Sequence, residues 1–410
     1  MSVAAEHTEP ARRLLGGLRR GRSISLLEHQ ARIGPVVLDT ALVDEVAASG
    51  LRGRGGAAFD TATKLRAVAA RRRPILVANA AEGEPASGKD KALLRATPQL
   101  VLDGVVATAY AVGARDAVVA IASGARNELE SVGRALAERR GDPVRIRVET
   151  VPDRFVTGEE TALLNALERG VAKPTVKPPY PFERGLNGAP TLVQNVETLA
   201  HIALIGRFGA AWFRSAGSTD SPGTALVTLG GAVRNRGVFE IELGSTLGDL
   251  LDRSGGASEP VAAVLVGGYF GRWVAAADAT GLRLTHENLG AGAIVVLPAS
   301  ACGVAEAARV VRYLADESAG QCGPCVNGLR AIATAFAELD TSPAPARARL
   351  ERWTAQVRGR GACRHPDGVA GFVESFLDVF EPELARHARR GRCAASTRGW
   401  LTVPGGARGR

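Results

Sequence analysis

Lysine is nearly missing from this 410-residue chain. Lysine and arginine together number 51 against 42 acids, yet lysine stands only at positions 64, 89, 91, 173 and 177. Arginine supplies the rest, gathered around residues 12–22, 71–73, 386–392 and 408–410 in an alanine- and glycine-rich background. That composition is the habit of a GC-rich genome, although the formal net charge of +9 also suits an acidic partner. Aromatic residues are scarce at 5% and do not interleave with the basic runs, and no nucleic-acid module is present, so nucleic-acid binding is not expected. Long apolar runs are missing too: none reaches the roughly 18 residues of a membrane span. The first 23 residues are polar and basic without the apolar centre of a signal peptide, and the chain reads as cytoplasmic. Its five cysteines (302, 322, 325, 363, 393) are odd in number and unevenly placed, which argues against a disulfide framework.

What is present is ordinary for a folded protein, with 46% hydrophobic and 23% charged residues and length for two or three domains. The chain centres on residues 51–64, LRGRGGAAFDTATK. Gly53, Gly55 and Gly56 fall within four positions, flanked by Arg52, Arg54 and Lys64, with Phe59 at the edge. Such a loop lets backbone amides close on an anion, and a helix beginning after it would point its N-terminus there. The pattern is not G-x-G-x-x-G and follows a helical segment rather than a strand, so a tight turn stays open beside a phosphate site.

Residues 1–30 read as a flexible basic arm with a short helix, and 40–49 as an amphipathic helix. Strands are expected at 74–78, 117–122 and 144–150, and helices at 97–112, 127–139, 158–168 and 195–205. This alternation predicts an α/β domain with a mainly parallel sheet, whose functional loops gather at strand ends. Three polar clusters sit in such loops: the glycine loop, residues 79–90 (NAAEGEPASGKD), and Thr157-Gly158-Glu159-Glu160-Thr161. The last has a structural reading, with Thr157 as helix cap and the glutamates favoured in a first turn. Residues 173–194 are too rich in proline and glycine for regular structure. From residue 223 short strands at 224–229, 237–241, 261–266 and 293–297, with a helix at 246–254, form a compact α+β module. Residues 304 to about 387 are helical. Cys322-x-x-Cys325 lies in the turn after the first of those helices, with Cys363 between two later ones. Three thiols could hold a metal or cluster, but zinc and cubane iron–sulfur sites want four ligands. Cys302 and Cys393 read as plain thiols.

These motifs together resemble one family, the NADH-binding flavoprotein subunit of respiratory complex I and its relatives in NAD-linked hydrogenases and formate dehydrogenases. Residues 50–64 resemble G-L-R-G-R-G-G-A-G-F-P-T-G-x-K, and 79–90 resemble N-A-D-E-x-E-P-G-x-x-K-D. Residues 158–163 match G-E-E-T-A-L, and 177–198 resemble K-P-P-F-P-x-x-x-G-L-x-G-x-P-T-x-x-N-N-V-E-T. Residues 317–328 look like E-S-C-G-x-C-x-P-C-R-x-G. The likeness runs from about residue 30 to 385 in family order.

The resemblance implies an α/β fold in three parts: a Rossmann-like FMN/NADH domain (31–220), a small β-grasp (ubiquitin-like, SLBB) domain (221–300), and a C-terminal helical bundle of iron–sulfur type (301–390). A basic arm (1–30) and a basic tail (391–410) flank them. FMN would meet Gly53, Arg54, Gly55, Gly56 and Lys64, with Asn79, Phe155, Gly158, Glu159, Asn195 and Thr198 completing its site. NAD(H) would lie over the flavin with Phe59 and Tyr180 near its adenine. Glu82, Glu84 and Glu160, read as the catalytic carboxylates, and Lys177 would be its polar contacts. The implied reaction is hydride transfer from NADH (or NADPH) to FMN, then single electrons to an iron–sulfur or ferredoxin-like protein within a hetero-oligomeric redox complex. No general base is needed, and His365 reads as a surface or packing residue.

The chain also departs from the pattern. Ala81 replaces an aspartate that contacts flavin, Ala58 and Asp60 replace the loop's Gly and Pro, Phe155 a tyrosine, and Gln194 an asparagine. Ala58 suits the loop only if that position does not need φ > 0. Ala319 stands at the first cluster cysteine, leaving Cys322, Cys325 and Cys363 as metal ligands. A cubane (4Fe-4S) completed by Ser318, water or another group, a three-iron (3Fe-4S) cluster, and no cluster all stay open. Two other readings remain: a non-catalytic scaffold that kept the fold, and a cluster-binding electron-transfer subunit.

Overall fold

The computed structural model describes residues 13–16, 18–19, 22–339, 341–390 and 399–404. Cys393, most of the expected basic tail and half of the expected N-terminal arm therefore lie outside the described residues. The described part of the arm is packed down: Leu14 is fully buried, and the Arg13 guanidinium donates to the Trp212 and Phe213 carbonyls. A two-residue ribbon, β1 (Leu18–Arg19) and β2 (Arg22–Ser23), precedes the first helix.

The first unit contains α1 (Leu26–Ile33), α2 (Leu42–Ser49), α3 (Thr61–Ala69), β3 (Ile75–Ala80), α4 (Lys89–Ala96), α5 (Pro98–Ala111), β4 (Asp116–Ala122), α6 (Arg126–Ala137), β5 (Arg145–Val151), α7 (Glu160–Arg169), β6 (Thr191–Asn195) and α8 (Val196–Arg214). Its four strands run parallel in the order β5-β4-β3-β6. Alternate strand residues explain why both faces are covered. Leu76, Ala78, Val119 and Ile121 join one core with α2, α5 and α8, whereas Val77, Val118, Ala120 and Val193 join another with α7. Strand β6 falls in the segment expected to lack regular structure. Its five residues pair with β3 once the proline-rich loop has ended, and a short strand leaves little periodic signal.

The second unit holds β7 (Thr224–Gly231), β8 (Gly237–Glu242), α9 (Leu247–Arg253), β9 (Val261–Val266), β10 (Arg272–Ala275), α10 (Ala276–Ala279) and β11 (Ala293–Pro298). Its sheet has the order β10-β9-β11-β7-β8, with β11 and β7 parallel and the other pairs antiparallel. Val264, Val266, Ile294 and Val296 pack with Leu247 and Leu250 of α9 on one face.

The helical unit comprises α11 (Gly303–Asp316), α12 (Leu329–Ala337), α13 (Pro343–Val357), α14 (His365–Val379) and α15 (Glu381–Arg390). Its core is continuous with the second sheet's other face: Leu265, Val295 and Leu297 sit in one cluster with Val310, Leu314, Phe372 and Phe376. Among the described residues no helix is long and apolar enough to cross a membrane.

Candidate functional site

The C-terminal ends of β3 and β6 meet, with Asn79 paired beside Asn195. Parallel sheets open their ligand crevices at this edge because the connecting loops diverge there. All three polar clusters converge on it. Asn79 donates from Nδ2 to the Gly158 carbonyl (3.0 Å) and accepts from the Ala81 amide (3.0 Å), so it joins the second cluster to the third. Asn195 caps α8 by accepting from the Glu197 amide (2.9 Å).

The glycine loop leaves α2 and is closed by a bond from the Gly53 amide to the Phe59 carbonyl (2.8 Å). Gly55 and Gly56 are exposed, and Gly56 has φ +110°, which L side chains rarely adopt. Two anchors hold the loop from below. The Arg54 amide donates to Thr198 Oγ1 (2.9 Å), and the buried Arg54 guanidinium turns inward to donate to the Thr224 carbonyl (3.0 Å). Asp60, at the family's proline position, caps α3 by accepting from the Thr63 amide (2.7 Å). Ala58 has φ +47°, so alanine occupies a left-handed position where the resemblance has glycine. The position does need φ > 0, and the Ala58 Cβ carries the usual cost of that region.

Beside the loop lies a chain of charges. Lys64 Nζ donates to Glu160 Oε2 (2.9 Å) and to the Val193 carbonyl (3.2 Å), while Lys177 Nζ donates to Glu160 Oε1 (2.6 Å) and lies 3.3 Å from Glu159. Burial acts to raise the Glu160 pKa, but the two ammonium groups prevail and hold the carboxyl below its usual range. For Lys177, burial works to lower the pKa and the carboxylates to raise it, with a net upward shift. Glu159, rather than Thr157, caps α7: its carboxylate accepts from the Thr161 (2.8 Å) and Ala162 (2.9 Å) amides. Thr157 instead donates to the Pro152 carbonyl.

Glu82 and Glu84 lie inward. Glu82 accepts from Ser87 Oγ (2.5 Å) and from the Asp90 and Lys91 amides (both 3.2 Å), capping α4. Burial, reinforced by Asp90, raises its pKa. Glu84 accepts from the Ala86 amide (3.0 Å) and from the Tyr269 amide of the second unit (2.8 Å). Burial pushes its carboxyl up to about 7. Phe155 also faces away from the loop, edge-on to Phe270 (4.7 Å), His365 (5.6 Å) and Tyr313 (6.2 Å), where all three units meet. His365 is buried with Nε2 2.7 Å from the Leu314 carbonyl, so it packs rather than lying on the surface. Phe59 and Tyr180 are 53% and 45% exposed, the latter with its ring stacked on Phe182.

A buried ionic network escapes a reading of the sequence. Lys89 Nζ lies 2.6 Å from Asp90 Oδ1 and 2.8 Å from Glu197 Oε2, all three residues being nearly solvent-free. Asp90 also accepts from Asn195 Nδ2 (2.7 Å), and Glu197 faces the Arg54 Nε at 3.9 Å. Burial tends to lower the Lys89 pKa, but Asp90 and Glu197 overcome it and raise it. The sequence signal for these residues is slight: Lys89 and Asp90 end one motif, and Glu197 lies near the end of another. Three of the chain's five lysines (Lys64, Lys89 and Lys177) thus sit around one loop.

The three cysteines expected as ligands approach one another. Cys322 is half-buried before a π-helical turn (Pro324–Gly328) that buries Cys325, and Cys363 precedes α14. Burial favours a raised pKa at Cys322, but donors from Ala362 and Cys325 hold it below the usual thiol value. Burial and the neighbouring Cys322 push Cys325 up to about 12, and burial also raises Cys363. Cys322 thus raises the pKa of both other thiols while its own is lowered by hydrogen bonding that includes Cys325. Ala319, where the resemblance has a cysteine, packs half-buried against the apolar cluster that contains Ala81. A four-thiolate set is not available from these residues.

The Nuo51 FMN-binding domain family model matches residues 46–204, and the iron-sulfur binding region of NADH-ubiquinone oxidoreductase-F matches residues 305–387. An NADH-quinone oxidoreductase F subunit of Rhizobium meliloti is 33% identical over 377 residues, covering 86% of this chain and 90% of that protein. The corresponding F subunit of Mycobacterium tuberculosis is 33% identical over 393 residues, covering 87% of each. The alpha subunit of the NAD-reducing hydrogenase HoxS of Cupriavidus necator is 32% identical, and the match spans 90% of this chain but 64% of that one. A crystal structure of an NAD+-reducing NiFe hydrogenase superposes with a TM-score of 0.80 at 32% identity, covering 85% of this chain and 63% of that chain.

Proposed function

The chain belongs to the family of NADH-quinone oxidoreductase F subunits, and from that premise we propose that its glycine-loop crevice holds FMN beneath a nicotinamide nucleotide. The observation that carries this reading is the gathering of Gly55 beside Asn195, of Asn79 on Gly158, and of the Lys64–Glu160–Lys177 chain at the carboxyl edge of the sheet. The site fits such a group: the loop presents backbone without Cβ atoms, and two ammonium groups stand beside it for a phosphate.

The chemistry supplied by the flavin when bound is hydride acceptance from a reduced nicotinamide, followed by release of single electrons. This chain's residues bind and align. Gly53, Gly55, Gly56 and Lys64 cradle the phosphate, and Asn79, Gly158, Glu159, Asn195 and Thr198 fix the edge on which the ring system rests. Glu160 and Lys177 receive the nucleotide's polar groups, with Phe59 and Tyr180 offering ring faces for its adenine. Arg54, Glu82, Glu84 and Phe155 act behind that surface as positioning residues. The strand order of the five-stranded sheet supports reading the second unit as a ubiquitin-like β-grasp (SLBB) domain: counted within the unit it is 2-1-5-3-4, with its first and fifth strands parallel. The packing units support domains at 31–220, 221–300 and 301–390. The acceptor we propose is a ferredoxin-like or iron–sulfur protein in a cytoplasmic hetero-oligomeric complex.

The test is an anaerobic NADH titration of the FMN-reconstituted chain, followed by visible absorbance and EPR. Bleaching of the flavin band is expected, and Lys64→Met should weaken FMN retention roughly ten- to hundredfold, the scale of a charge-assisted hydrogen bond. No bound flavin after reconstitution overturns the reading. A second reading, a scaffold that kept the fold, is favoured by the burial of Ala81 and Ala319 against one apolar cluster. Flavin that binds but does not bleach would select it.

A further inference from the structure

Cys302, Glu383 and His387 form a buried cluster between the start of α11 and α15, and neither the flavin crevice nor the Cys322–Cys325–Cys363 group uses it. All three are nearly solvent-free, and one donor atom from each lies within 4.8 Å of the other two. Cys302 caps the N-terminus of α11, while Glu383 and His387 stand four residues apart on α15, hence on one face of that helix.

The separations are those of a coordination sphere. His387 Nε2 is 3.8 Å from Cys302 Sγ and 3.7 Å from Glu383 Oε1. Tetrahedral zinc with ordinary Zn–S, Zn–N and Zn–O bonds places such donors about 3.6 Å (S to N) and about 3.4 Å (N to O) apart. Both distances converge on the same ring nitrogen, and every pair of donor atoms lies within 4.8 Å, so one cation can reach all three residues after a small local adjustment. The surrounding backbone is arranged for anionic ligands. The Ala305 amide donates to Cys302 Sγ (3.4 Å) and the Val304 amide to Glu383 Oε1 (3.4 Å), both from the positive end of α11. Gly303 permits the approach, since a Cβ there would meet the Phe380 ring at 2.2 Å and Glu383 Oε2 at 3.0 Å.

We propose that Cys302, Glu383 and His387 bind a divalent zinc-type cation that fastens α15 to the start of α11. A thiolate, an imidazole and a carboxylate select zinc or cobalt(II) over magnesium or calcium, which favour all-oxygen sites. Uptake releases the Cys302 thiol proton to solvent and leaves a fourth position for water. The proposal stands apart from the flavin reading.

The test uses the full chain, loaded with zinc or with cobalt(II) and desalted. In the variant carrying Cys322→Ala, Cys325→Ala, Cys363→Ala and Cys393→Ser, metal analysis should find about one equivalent bound. The cobalt form should show a thiolate-to-metal charge-transfer band. That band should persist in a variant carrying Cys322→Ala, Cys325→Ala, Cys363→Ala and Cys393→Ser, where Cys302 is the sole thiol, and disappear with Cys302→Ala or His387→Gln. Chelation should lower the thermal midpoint of that sole-thiol variant but not of the same variant carrying His387→Gln as well. If Cys302→Ala does not fold, the sole-thiol variant decides. Loss of its band, or metal binding indifferent to Cys302 and His387, overturns the proposal.

Discussion

The glycine-loop crevice and the cysteine turn of the helical unit are built from the same economy of residues, yet they differ in what their special positions do. At the crevice the charged groups touch: Lys64, Glu160 and Lys177 form one chain above the sheet edge, and Lys89, Asp90 and Glu197 another within the protein. At the turn three thiols lie near one another, and Ala319, where the resemblance has a cysteine, packs against the cluster holding Ala81. Both positions thus take part in apolar contact between the first and third units. On the proposed reading the first region receives electrons, and the second is where a family cysteine is replaced by Ala319.

The largest expected effect comes from reversing that replacement. Ala319→Cys supplies a fourth thiolate, and iron should rise to about four per chain with a reducible cubane signal in EPR after anaerobic reconstitution. Unchanged iron would show that the Ala319 position is not part of the cysteine group, and the contrast between the regions would fail. Next in size, Lys89→Met strikes the crevice from below. It leaves Asp90 and Glu197 buried without their ammonium partner, a change that typically costs about 3–5 kcal/mol. Chemical denaturation should detect it, and a loss below about 1 kcal/mol would mean that Arg54 and Asn195 carry those carboxylates alone.

Much of this is legible in the residues themselves. The glycine loop, the two asparagines and the Gly158-Glu159-Glu160 turn neighbour strands whose apolar runs mark most of them plainly, so their gathering at one sheet edge follows from α/β topology. The direction of individual side chains is not legible. Glu84 is buried because it binds the amide of Tyr269, a partner 185 positions away, and no local pattern encodes such a contact. Arg54 looks like a phosphate ligand by its place between glycines, but Thr224 and Glu197 offer it a buried position. Strand β6 is masked by the prolines before it, and the cluster of Cys302 with Glu383 and His387 joins residues up to 85 positions apart. Those are tertiary outcomes.

A third effect, of about 3 kcal/mol, belongs to pH. Glu84 rises from an ordinary carboxyl value of 4.5 to about 7 in the folded chain. The native state therefore binds more protons than the unfolded state between those values, and the stability linked to Glu84 is full below about 4.5 and lost as pH rises through about 7. Glu160 has the opposite sign: its lowered pKa stabilises above the unfolded value, and that stability fades as pH falls through the folded one. Denaturant midpoints at about pH 5 and about pH 8, on either side of the folded Glu84 value, should thus diverge less in Glu84→Gln than in the parent. An unchanged difference would place the charge linkage elsewhere than at the junction between the first two units.

The smallest effect tests how far the loop itself has drifted. Ala58 sits at φ +47°, a conformation that costs an L residue about 1–2 kcal/mol relative to glycine. Ala58→Gly removes that strain but enlarges the unfolded ensemble by roughly 0.4–1 kcal/mol, so the net gain should stay below about 1.5 kcal/mol. The Gly53 amide still closes on the Phe59 carbonyl with alanine present, which indicates that the strain is absorbed locally rather than by opening the loop. Ala58→Gly should accordingly raise the thermal midpoint by a few degrees while leaving FMN affinity within about twofold. A large gain in affinity would instead mean that Ala58 distorts the phosphate cradle, and the crevice would then share in the alteration seen at the cysteine turn.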